Sequence, residues 1–163
     1  GEQYGMRGAN LIPVNMYGPH DHFNLTSSHV IPALILKFYN AIKNGEDEVP
    51  IWGTGEASRE FLYAADCAEA IALAIKKDVS LDPINIGTGK EIKIKDLVTE
   101  IAEQMGYEGS IKYDDSKPDG QPRRCLNTWS AEEKLNFKAK TDLQTGLKQT
   151  IEWFLNANNW ESQ

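Results

Sequence analysis

His29 is the residue in this chain best placed to do chemistry. It heads the run SSHVIPALILKF, residues 27–38, directly after the loop VNMYGPHDHF, residues 14–23, and an imidazole titrates near neutrality. Exchanging a proton at a carbon next to a ketone needs one group that removes it and one that returns it on the opposite face, and a side chain poised near pH 7 can do either. A histidine at a helix start can equally be held by local hydrogen bonds with no chemistry attached. On residue type and position alone both readings stand.

Lys37, Arg59 and Arg124 carry an anion-binding hypothesis, because guanidinium forks match phosphate oxygens with paired hydrogen bonds. Surface ion pairing is the alternative for each. Trp52, with Ile51, Val30 and Leu34, can wall a ligand pocket by ring and apolar contact or can belong to an ordinary core. Asn15 either serves such a pocket or makes turn hydrogen bonds. His20, Asp21 and His22 supply only three ligand atoms with no remote cluster to complete them, so no metal site is expected. The two Gly-Thr-Gly turns at 53–55 and 87–89 do not continue as G-x-G-x-x-G, since Ser58 and Ile92 hold the third glycine positions. Neither therefore reads as a dinucleotide cradle.

These residues need elements to position them. Residues 9–16 form an apolar run stopped by Gly18 and Pro19, which reads as a buried strand. Ser27 or Ser28 can cap a helix with Pro32 in its first turn, whose apolar stripe Ile31, Leu34, Ile35, Phe38 and Ile42 runs until Gly45. Short strands are expected at 50–52 and 59–64. Asp66 and Glu69 then read as a cap for a helix to Lys77 that turns Ala68, Ile71, Ala72 and Ile75 inward. A strand at 83–86, a helix at 96–105, a short strand at 111–113, a loop at 116–122 and two helices at 131–136 and 143–156 complete the pattern. Alternating short strands and helices indicate an α/β chain with a thin sheet.

The 163 residues, 40% of them apolar, suffice for one sizeable core, so a single region spanning 1–163 is expected. A formal charge of −7 argues against nucleic acid and anionic membranes as partners, but it says nothing against phosphate, which local cations decide. Every apolar run is interrupted before membrane-spanning length. Cys67 and Cys125 are far apart and form no C-x-x-C, which favours a reducing, cytoplasmic setting.

In order and spacing, PVNMYGP at 13–19, GTGEASREFLYAAD at 53–66 and NIGTG at 85–89 resemble the second half of the extended short-chain dehydrogenases that modify nucleotide sugars. Within them GPHDHF, SSHVIPALILKF and KPDGQPRR at 117–124 resemble the GDP-L-fucose synthase family, which are NADPH-dependent 3,5-epimerases and 4-reductases of GDP-4-keto-6-deoxy-mannose. The resemblance implies a Rossmann sheet that binds NADP and a smaller C-terminal domain that binds GDP-sugar. This chain would be that C-terminal substrate-binding part, with the last strand and helix elements of a truncated Rossmann domain. His29 would be the acid/base, Arg59 and Arg124 would meet the diphosphate, and Val30, Leu34, Ile51 and Trp52 would wall the guanine pocket. Lys37 stands where this helix usually has Arg, and Asn15 would lie at the junction of cofactor and sugar. The family's Tyr-x-x-x-Lys pair belongs before the strand that carries Asn15, so Tyr39-x-x-x-Lys43 and Tyr113-x-x-x-Lys117 read as chance spacings. The family's partner cysteine also lies upstream, which leaves Cys67 to the core and Cys125 to strand packing. The expectation is a chain inactive alone, with NADP bound by the complete enzyme and a homodimer formed by strand pairing. Two alternatives remain: part of another nucleotide-sugar epimerase or dehydratase, and a stand-alone nucleotide-sugar binding or dimerisation module.

Overall fold

Strand β4, Ser58–Tyr63, is a wall shared by two cores. Successive strand side chains point to opposite faces, so Phe61 and Tyr63 enter one buried cluster while Leu62 enters another. The computed structural model describes residues 3–5, 8–77, 79 and 81–157. These form β1 (Asn10–Pro13), β2 (Asn15–Tyr17), α1 (Val30–Asn44), β3 (Glu48–Trp52), β4, α2 (Ala64–Lys77), β5 (Pro83–Ile86) and β6 (Glu91–Lys93), then α3 (Ile94–Met105), β7 (Ser110–Asp114), β8 (Arg123–Arg124), α4 (Trp129–Leu135) and α5 (Leu143–Ala157). Helices α1, α3 and α5 close on β3 and one face of β4, while α2 and α4 close on β5 and the other face.

Parallel pairing dominates this α/β fold. β1 pairs with β5, β2 with β4, and β3 with β7, all parallel. β4 also takes β6 antiparallel and β8 parallel, with Arg59 opposite Arg124. The single strand expected at 9–16 divides at Val14, where the chain leaves β5 for β4; the Val14 N–H still donates to the Ile86 carbonyl at 2.9 Å. Only Val14 and Tyr17 of this stretch are buried, whereas Ile12 and Met16 are 43% and 44% exposed. Within the expected strand at 9–16 only Val14, at the crossover, is buried; Tyr17 lies just beyond it.

Helix ends follow their punctuation. Gly45 and Gly106 close α1 and α3 in the left-handed conformation, donating back to the last turn. The cap of α1 is His29 itself, because Ser28 turns its hydroxyl to the Asn24 carbonyl instead. Ile42, expected inward, is exposed. For α2 the expectation is reversed: Cys67, Ala70 and Ala74 are buried, while Ala68, Ile71, Ala72 and Ile75 face outward. Asp66 does not cap its own helix. It is buried and accepts from the N–H groups of Lys140 and Thr141 at 3.1 and 2.9 Å, which pins the entry to α5.

Candidate functional site

His29 stands between two clefts. Its backbone, at φ −70° and ψ 171°, forms the start of α1, yet its side chain makes no capping hydrogen bond. The ring is thus not consumed in holding the helix start. One cleft, of about 440 Å³, is lined by Asn15, Gly18, His20, His29 and Arg124 among others. The other, of about 330 Å³, joins Asn15 and His29 to Val30, Trp52, Arg59 and Asp119. Asn15 and His29 line both, which places a hydrogen-bonding amide and a titratable ring at the junction.

Strand pairing supplies one guanidinium to each cleft. Arg59 on β4 and Arg124 on β8 are register partners, and they line the second and first cleft respectively. Arg59 Nη1 donates to the carbonyls of Ser58 and Gln121 at 2.7 and 2.6 Å, so its fork is oriented by the loop that follows β7. That loop is latched at Asp119, whose carboxylate accepts from the N–H and hydroxyl of Thr54 at 2.6 and 2.7 Å. These bonds hold the Asp119 carboxyl below its usual range. Gly53 is required beneath it: its φ is +81°, and a Cβ there would sit 2.3 Å from Asp119 Oδ1.

At the rim, the Trp52 indole is 71% exposed. Lys37 Nζ and Lys117 Nζ lie 5.7 and 6.0 Å from its ring centre, an arrangement that offers a flat apolar face beside positive charge. Lys37 also donates to the Pro50 carbonyl at 3.0 Å, and burial lowers its pKa from the ordinary lysine value. A planar base on the indole with an anionic tail toward Arg59 and Arg124 is the ligand shape this surface suits.

Other residues singled out from the sequence are not brought to the clefts. Leu34 and Ile51 are 4% and 3% exposed within the first core rather than on either lining. Tyr39 packs edge-on against Phe154, with Lys43 over its other surroundings at 5.8 Å from the ring centre. Burial pushes the Tyr113 phenol up, and Lys117 leans to Trp52 instead. His20, at φ +67°, lies against Trp153, and His22 Nε2 is 2.9 Å from Ser27 Oγ. Cys67 is buried in the second core. The Cys125 thiol is pushed up by burial and then by the negative charge of Glu60.

Neither Gly-Thr-Gly turn is shaped for a dinucleotide. Each joins strand to strand, β3 to β4 and β5 to β6, rather than strand to helix. Their amides already hold carboxylates of the chain itself: Thr54 N–H faces Asp119, and the N–H groups of Thr88 and Gly89 face Glu60 at 2.6 and 2.7 Å. The described residues at these turns do not fit a pyrophosphate. The sequence suggests no role for Glu60 or Asp119, and brings in His20 only for a metal and Lys117 only as a chance Tyr-x-x-x-Lys spacing. A signal existed for Glu60, which shares strand parity with the buried Leu62.

Residues 1–87 match the NAD dependent epimerase/dehydratase family. GDP-L-fucose synthase 1 of Arabidopsis thaliana is 40% identical over 153 residues, which are 94% of this chain and 47% of that protein. GDP-L-colitose synthase of Yersinia pseudotuberculosis is 41% identical over 149 residues, 91% of this chain and 48% of that protein. A GDP-L-fucose synthetase from Naegleria fowleri, solved with NADP bound, superposes with a TM-score of 0.86 at 30% identity, over 93% of this chain and 47% of that one. The chain spans about half the length of the curated relatives it matches. A matching family pattern over the strands that carry Asn15, Arg59 and Glu60, and a shared fold around the His29 clefts, make this chain a member of the NAD dependent epimerase/dehydratase family, similar within it to GDP-L-fucose synthases.

Proposed function

We propose that this chain is the GDP-sugar-binding region of a GDP-4-keto-6-deoxy-mannose 3,5-epimerase and 4-reductase, with His29 as its acid/base. The observation that carries the reading is the position of His29 at the junction of two clefts, with an arginine in each and Trp52 at the rim. Trp52 and Val30 receive the guanine, Arg59 and Arg124 the diphosphate, and His29 and Asn15 the keto sugar. His29 removes or returns a proton at the carbon next to the ketone, the general acid/base role that a side chain within reach of the sugar can fill. When bound to the complete enzyme, NADP supplies the hydride for reduction; a structural neighbour of this chain was solved with NADP. A second copy of the chain is proposed as the partner, covering the exposed apolar residues of α2 and the β1 edge.

Calorimetric titration tests the ligand assignment. GDP is expected to bind more tightly than UDP. Arg59→Ala is expected to lower GDP affinity about tenfold or more, since a charged hydrogen bond to phosphate is worth roughly 1.5 to 3 kcal/mol. Equal binding of UDP, or an unchanged affinity in Arg59→Ala, overturns the GDP reading. The similarity to a GDP-L-colitose synthase supports a second reading, a different GDP-linked keto sugar at the same clefts. Comparing which keto sugar exchanges its protons with solvent separates the two.

A further inference from the structure

Glu60 is the most heavily hydrogen-bonded charged side chain near the clefts, and it touches neither lining. It is completely buried, an unusual place for a carboxylate unless several donors converge on it. They do. Oε1 accepts from the N–H groups of Thr88 and Gly89 at 2.6 and 2.7 Å and from the Thr88 hydroxyl at 3.3 Å, while Oε2 accepts from the Leu126 N–H at 2.7 Å. The backbone carbonyl of the same residue accepts from Asn15 Nδ2 at 3.2 Å.

Those partners bracket the site. β8 is only two residues long, and its ladder to β4 holds Arg124 from one side. Leu126, two residues on, is held by the Glu60 carboxylate from the other. Asn15, at the junction of the clefts, hangs from the Glu60 carbonyl. We propose that Glu60 is a positioning residue that sets Arg124, and with it the diphosphate subsite, by anchoring the chain immediately after β8 to the 87–89 turn. The proposal rests on the reading of Arg124 as a diphosphate ligand.

The chemistry requires a carboxylate. Donors approach from both sides, two N–H groups at one oxygen and one at the other, whereas an amide has a single acceptor oxygen. In Glu60→Gln the NH2 must face Leu126 N–H or the Thr88 and Gly89 pair, and either orientation opposes donor to donor. Gly87→Ala perturbs the same carboxylate without removing it, because the added Cβ would lie 2.3 Å from Oε1.

A double-mutant cycle read by titration tests this, with GDP and guanosine as probes. Arg124→Ala is expected to weaken GDP about tenfold or more and to leave guanosine unchanged. Glu60→Gln and Gly87→Ala are each expected to weaken GDP at least about threefold, to change guanosine by less than about twofold, and to add little once Arg124 is already Ala. If Arg124→Ala itself leaves GDP affinity unchanged, the functional reading fails at its root. If Arg124→Ala weakens GDP but the Glu60 and Gly87 variants do not, or their effects multiply with it, Glu60 does not act through Arg124 and the proposal is overturned. Equal losses of GDP and guanosine in both variants would likewise reduce Glu60 to a general fold-stabilising residue. Gly87→Ala keeps the test open should the buried amide of Glu60→Gln prevent folding.

Discussion

At the scale of single residues, the site separates groups that face ligand from groups that hold them. His29 caps α1 through its backbone and leaves its ring uncommitted. Arg59 uses one nitrogen to bind the carbonyls of Ser58 on its own strand and of Gln121 in the loop after β7, which trades reach for orientation. In an enzyme that joins this region to the rest of a relative's length, His29→Gln is expected to suppress solvent deuterium incorporation at the carbons next to the ketone by about 100-fold to 10,000-fold, while NADPH binding is unchanged. Mass spectrometry of recovered GDP-sugar measures it. Exchange at the normal rate would leave His29 a helix-start residue only. That His29 is a candidate was legible in its type and place; that Glu60 is buried could be read only through the strand parity it shares with Leu62.

At the scale of elements, α2 and the loop after β7 depart most from expectation. α2 carries two apolar stripes, Cys67, Ala70 and Ala74 on one side and Ala68, Ile71, Ala72 and Ile75 on the other, the second holding both isoleucines. The stripe with the isoleucines was expected inward; instead Cys67, Ala70 and Ala74 are buried against the second core, and Ile71 and Ile75 are 48% and 79% exposed. The loop at 116–122 was recognisable from its Pro and Gly, but its anchoring at Asp119 and Thr54 arises between residues 65 apart. Because the folded Asp119 pKa is lowered, its contribution is fully present above the unfolded value of about 3.9 and is lost as pH falls through the lowered one. Hydrogen exchange should therefore show the Thr54 amide protected at neutral pH and losing protection selectively below about pH 4. Asp119→Ala should remove that protection at every pH, and an unaltered Thr54 profile in this variant would refute the latch.

At the scale of the whole molecule, apolar surface is left on both an element and an edge. A helix apolar on two sides is ordinarily covered on both, and within the described residues β1 is hydrogen-bonded along one edge only. Self-association in solution is expected, and Ile75→Lys should weaken it by placing a charge in the stripe without lowering the thermal midpoint, since Ile75 makes little of the core. Sedimentation velocity over a range of concentrations decides this; a wild-type chain that remains monomeric throughout, or a variant that associates equally, counts against pairing through α2. Among the described residues no helix is long and apolar enough to cross a membrane. Local chemistry in the sequence determined the helices, through periodic stripes ended by Gly45 and Gly106, the turns at 53–55 and 87–89, and the motif order that resembles one family. Tertiary structure alone decided which stripe of α2 is buried, where the run at 9–16 changes sheets, that Leu34 and Ile51 enter the core, and that both glycine turns close on carboxylates of the chain. The physical reason is distance along the chain: periodicity says which residues share a face, but the partner that buries the face, such as Leu126 for Glu60 at a separation of 66 residues, is chosen only when the strands pair.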